Sequence, residues 1–127
     1  MLKKRFFIHI FEKFKTYKYN VFIFLLGLQR AFFLIKDNIG FGWKDLARNL
    51  PYSPSKELEE IDNEIKAIEY ANQGQLKEQA YQSLVRWYNH CGRRASIENL
   101  KSTLREINEN MIADKLDMCA GAKKEKT

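Results

Sequence analysis

Six short amphipathic helices and no strand are what this 127-residue sequence predicts. Three observations carry that fold class. Trp43, Leu46, Ala47 and Leu50 fall at i, i+3, i+4 and i+7, the spacing of one helix face. Leu76, Ala80, Leu84, Trp87 and Cys91 keep a single face for about four turns. No segment alternates apolar and polar residues as a half-buried strand would, and no repeat or Gly/Ser-rich linker divides the chain. With short connections between its elements, such a chain closes as an antiparallel six-helix bundle.

The elements follow in order. Val21 to Leu28 is continuously apolar and leads into a first helix over about 25–39, with Leu28, Phe32, Ile35 and Ile39 turned inward. Gly40-Phe41-Gly42 ends it, because two glycines lower helix propensity and supply a turn. The second helix is Trp43–Leu50, stopped by Pro51. The third is expected to start at Ser53-Pro54, with Ser as cap and Pro at the first helical position, where a missing N–H costs nothing. Glu57, Glu59 and Glu60 suit its positive end, and Leu58, Ile61, Ile65 and Ile68 form its inner stripe. Asn72-Gln73-Gly74 closes it. The fourth helix covers about 75–90 and stops at Gly92, with His90 placed to cap its C-terminus. Ser96 caps a fifth, with Ile97, Leu100, Leu104 and Ile107 inward. After a break at 108–110, Met111, Ile112 and Leu116 line the sixth. The expected core is therefore Phe32, Ile35, Ile39, Trp43, Leu46, Leu50, Leu84, Trp87, Leu100, Leu104, Ile112 and Leu116.

Three regions differ in charge. Residues 1–24, an aromatic extension, hold six basic residues against one acidic. Residues 25–118, the predicted domain, hold 13 basic against 14 acidic. Residues 119–127, expected to be a disordered tail, hold three basic against one acidic. The overall charge of +6 thus belongs to the ends. A nucleic-acid-binding domain carries its positive charge on the folded surface, so nucleic acid is not an expected partner. The basic start followed by a short apolar run has the outline of a secretory signal, but Gln29-Arg30 offers no small-residue cleavage site. Eight apolar residues are also far short of the roughly 20 that span a bilayer. Peripheral membrane contact through residues 1–28 stands as the alternative function.

Catalytic chemistry is sparse. Cys91 and Cys119 make no disulfide framework, and with His9 and His90 they make no zinc set. Gly40-Phe41-Gly42 lacks the preceding strand and further glycines of a phosphate cradle. Glu57, Glu59, Glu60 and Glu64 spread over a helix surface. The sequence predicts a non-enzymatic binding module with no metal and no cofactor.

Five segments in order resemble one family. Ala31 to Gly40 followed by Trp43-Lys44-Asp45-Leu46-Ala47-Arg48-Asn49-Leu50 is similar to the first two helices of a death domain. Leu76–Ala80 through Leu84-Val85-Arg86-Trp87 resembles its fourth helix. Arg94–Leu100 and Met111–Leu116 resemble its fifth and sixth. The likeness is strongest to death domains of the Fas-associated adaptor type. It implies a Greek-key bundle that works in the cytoplasm as an adaptor in apoptotic or innate-immune signalling. The implied partners are death domains of receptors, kinases or adaptors, with further copies of this chain as a homo-oligomer. The resemblance also implies the partner-binding residues: Arg48 foremost, with Lys44, Asp45 and Asp37 near it. Arg93 and Arg94 fall on a second surface, and Glu106 and Glu109 are candidates to oppose it on a neighbour. The 14 residues between Leu50 and Ile65 exceed the family spacing, which implies an insertion there. The segment before the domain is too short for the death effector domain such adaptors carry.

Overall fold

The computed structural model describes the backbone of residues 18–120 and the side chains of 24–118. Six α-helices follow one another: α1 Lys18–Asn38, α2 Trp43–Asn49, α3 Leu58–Ala71, α4 Leu76–Cys91, α5 Ile97–Glu106 and α6 Asn110–Ala120. Single 3₁₀ turns, Gly40–Gly42 and Gly92–Arg94, precede α2 and α5. No strand occurs among the described residues. The fold is all-α, as the periodicity predicts.

Helix α1 is the spine: it packs along α4 and α6 and touches α5. Helices α5 and α6 pack on each other, while α2 lies against α3 and α4. Trp43, Trp87, Ile35, Leu46, Leu84, Leu100, Leu104 and Leu116 are the large side chains with almost no solvent exposure. Phe32, Ile39, Leu50 and Ile112 are buried with them. Full burial of such a side chain is worth about 1.5–3 kcal/mol, so these stripes supply the force that brings six marginal helices together.

The two tryptophans are held differently. Trp43 Nε1 donates to Gln79 Oε1 at 3.2 Å across the buried centre. Trp87 Nε1 donates to the Pro51 carbonyl at 2.9 Å and so fixes the loop between α2 and α3. Phe32 completes the aromatic centre, its ring 6.4 Å from Tyr81 and 6.5 Å from Trp87.

Several expectations are corrected. Helix α1 begins at Lys18, seven residues before the start expected near Leu25. Helix formation there continues through an apolar run that Gly27 does not interrupt. The third helix does not begin at Ser53-Pro54. Its N-cap is Glu57, and the Ser53–Pro54 peptide is cis. The local cap signal loses to tertiary contacts. Tyr52 Oη donates to the Ala47 carbonyl at 2.9 Å, Arg94 Nη1 donates to Ser53 Oγ at 2.7 Å, and Lys56 pairs with Glu64. These contacts bind the connection to α2, α3 and the turn before α5.

Leu58 and Met111 are exposed rather than inward, at 57% and 69%. Each sits in the first turn of its helix, beyond the reach of a packing neighbour. His90 is not a helix cap: its Nε2 meets the Pro54 carbonyl, and its ring lies edge-on to Tyr52 at 5.8 Å. The expected tail starts inside α6, which runs to Ala120. Residues 1–17 and 121–127, with the extension and most of the tail, lie outside the described residues.

Ser96 does cap α5, its Oγ accepting from Asn99 N at 3.1 Å. Gly92 ends α4 at φ +62°, a conformation open to glycine because it lacks a Cβ.

Candidate functional site

Helix α2 is only seven residues long, and its two faces divide the work. Trp43, Leu46 and Ala47 go into the core, which leaves Lys44, Asp45 and Arg48 on the outer face. Arg48 Nε donates to Asp62 Oδ1 of α3 at 2.8 Å, and its Nη1 lies 3.7 Å from Asp45 Oδ1. Lys44 pairs with Glu69. Position 44 meets 69 while 48 meets 62, so the two pairs form an antiparallel seam between α2 and α3. The Arg48 side chain stays 39% exposed, as does the Asp62 side chain. In such surroundings a single ion pair contributes about 0–1 kcal/mol, so the seam presents charge to solvent more than it stabilises the fold.

The other sequence-derived candidates separate. Asp37, at the end of α1, pairs with Lys36 at 3.1 Å and Lys77 at 3.7 Å. The hydrogen bond from Lys36, opposed by slight desolvation, leaves its carboxyl below the usual carboxylate range. It therefore belongs to the α1–α4 edge and is not joined by an ion pair to α2. Arg93 and Arg94 are exposed in the turn after Gly92, and Arg94 reaches back to Ser53. Glu106 is exposed at the end of α5.

Glu109 behaves otherwise. Its carboxylate lies against Gly42, where a Cβ would stand 2.7 Å from Oε2. The side chain thus reaches the turn between α1 and α2.

One charged surface was missed at the level of sequence. Lys101 Nζ donates to Asp117 Oδ1 at 2.6 Å, and Arg105 Nη2 to Asp114 Oδ1 at 2.9 Å, with Asp117 Oδ2 at 3.5 Å. This network bridges α5 and α6. The Asp117 hydrogen bond holds the Lys101 ammonium above its ordinary pKa. The signal was present as Lys101 and Arg105 at i, i+4 beside Asp114 and Asp117 at i, i+3, one stripe on each helix.

Among the described residues, no group of three His, Cys, Asp or Glu side chains could hold a metal ion. Every buried side-chain polar atom there has a hydrogen-bond partner. No described helix is long and apolar enough to cross a membrane.

The described residues thus form a six-helix bundle with a satisfied interior and ion pairs that link neighbouring helices along its surface. The family model "Death domain" matches residues 31–118, and the chain belongs to the death domain family. The chain is 36% identical over 87 residues to the FAS-associated death domain protein of Mus musculus, covering 68% of this chain and 38% of that protein. Against its Homo sapiens counterpart the identity is 34% over 84 residues, covering 66% and 36%. Ankyrin-1 of Mus musculus is 31% identical over 84 residues, covering 66% of this chain and 4% of that protein. The matched region thus spans well under half of each of these relatives.

Proposed function

We propose that this chain is a non-enzymatic adaptor module of apoptotic or innate-immune signalling that binds other death domains homotypically in the cytoplasm. Receptor, kinase or adaptor death domains are its partners, and further copies of the chain extend the assembly. The observation that carries this reading is the Arg48 guanidinium, half-exposed between Asp62 and Asp45 on a face whose apolar side is spent on the core. A guanidinium keeps further N–H donors after one bond is made, so it can engage a partner carboxylate without leaving its own. Charge complementarity across such a contact sets partner choice and encounter rate. Lys44 and Asp45 extend the same face. Arg93 and Arg94 form a second, with Glu106 as an opposing charge; Asp37 and Glu109 take lesser parts, since neither lies on these faces.

Membrane contact through residues 1–28 has less support. Its C-terminal part belongs to the bundle, with Leu28 buried and Gly27 close to Ile97.

The test is binding of the full chain to purified receptor, kinase and adaptor death domains, wild type beside Arg48→Glu and Arg48→Gln. The expected result is binding by wild type, weakened at least about tenfold by the charge reversal and less by the neutral change, as loss of a charged contact would give. Far-UV circular dichroism and thermal melting confirm that both variants fold. Failure of the wild type to bind any death domain overturns the function, and equal binding by Arg48→Glu removes Arg48 from the interface.

A further inference from the structure

We propose that Ser53 is a phosphorylation site for a proline-directed serine/threonine kinase, and that Arg94 captures the phosphate it receives. Two independent observations meet at this residue. The first is the run Ser53-Pro54-Ser55-Lys56: an acceptor hydroxyl, a proline directly after it and a cation three residues on. Proline lacks an N–H, so it enters an apolar slot next to a kinase's catalytic centre without stranding a donor. A cation at the third position supplies a charged anchor. The second is the hydrogen bond from Arg94 Nη1 to Ser53 Oγ at 2.7 Å. The future phosphate is thus attached to an atom that already touches a guanidinium, the group best shaped to hold it in fork geometry.

The loop permits the modification. Residues 51–57 form no helix, and Pro54 and Ser55 are exposed. The segment is held by side-chain contacts: Trp87 to Pro51, His90 to Pro54, and Lys56 to Glu64. A kinase takes its substrate extended, so residues 52–56 must release their anchors on α2, α3 and α4 to be modified. Because these anchors are side-chain contacts and not helix or ladder hydrogen bonds, the modification requires local opening of the loop and not unfolding of the bundle.

In the transfer, Ser53 Oγ attacks the γ-phosphorus of ATP, the bond to the ADP oxygen breaks, and the hydroxyl proton passes to the kinase's base. The product carries about −1.5 to −2 charges at neutral pH. Returned to its place, it meets Arg94 and the adjacent Arg93, pins the loop to the α4–α5 turn and cancels positive charge there. If Arg93 and Arg94 form a partner surface, as the proposed function has it, phosphorylation weakens binding through that surface. Only this last consequence rests on that reading.

The full chain is incubated with a purified cyclin-dependent kinase and MgATP, and the modified residue is located by mass spectrometry. Phosphorus NMR then follows the phosphoserine titration in wild type and in Arg94→Gln. The expected result is phosphate on Ser53, blocked in Ser53→Ala, with a second titration below the ordinary value of about 6 in wild type and restored to it in Arg94→Gln. A melting temperature raised by roughly 4 °C or more on phosphorylation, and raised less in Arg94→Gln, accompanies it. No incorporation at Ser53, or incorporation at Ser55 instead, overturns the site. An identical titration in the two proteins overturns capture by Arg94. Neither readout uses a death-domain partner, so failure here is distinct from failure of the proposed function.

Discussion

Trp43 and Gln79, 36 residues apart, meet through a hydrogen bond at the buried junction of α2 and α4. Gln79 uses both ends of its amide, accepting from the indole and donating through Nε2 to the Asn72 carbonyl at 2.8 Å. One polar side chain thereby ties the first turn of α2 to the end of α3. Replacing it by leucine keeps an apolar volume but strands the indole N–H, at a cost of about 1–3 kcal/mol.

Urea denaturation of Gln79→Leu should show that loss. In the Gln79→Leu background, Trp43→Phe should cost less than it does in wild type, because the orphaned donor leaves with the indole. Additive losses in this double-mutant cycle would show that the two residues do not depend on one another.

Stability should fall at alkaline pH through Tyr52. Burial, aided by the negative charge of Glu64, pushes its phenol well above the usual value of 10.0. The folded pKa exceeds the unfolded one, so the contribution is present in full below about pH 10 and declines above it, as the unfolded phenol ionises first. Lys101, also raised, acts in the same direction. The expected slope from Tyr52 reaches about 1.4 kcal/mol per pH unit. Urea midpoints between pH 8 and 11.5 should fall more gently in Tyr52→Phe, and a parallel fall would refute the assignment.

Gly92 separates α4 from the arginine turn with φ +62° and ψ −130°, and an added Cβ would meet nothing within 4 Å. Any cost of Gly92→Ala is therefore backbone conformation and not collision. We expect a loss of about 1–3 kcal/mol in chemical denaturation. An unchanged midpoint would mean that the turn rearranges freely, and Arg93 and Arg94 would then lack a fixed position.

Much of the fold was legible because helical burial repeats in the sequence itself. The stripes through Trp43 and Trp87 mark their own inner faces, and Ser96 lies beside the N–H it caps, so neither needs a distant partner to be read. Leu58 and Met111 misled because a stripe says which way a side chain points and not whether a neighbouring helix extends far enough to cover it. Ser53-Pro54 misled for a related reason: a cap signal is a local preference of about 1 kcal/mol, and several contacts from α2, α4 and the Arg94 turn outweigh it.

The candidate surface divides in the same way. Arg48 could be placed outside by its spacing from Trp43, but its pairing with Asp62, the seam from Lys44 to Glu69 and the turning of Glu109 toward Gly42 join residues 14 to 67 positions apart. By itself the sequence determined six helices, their inner faces and one core, since these follow from periodicities of three and four residues. The tertiary structure alone decided which charges meet and where the loop after α2 comes to rest, because ion pairs and loop anchors depend on distances that exist only once the helices have packed.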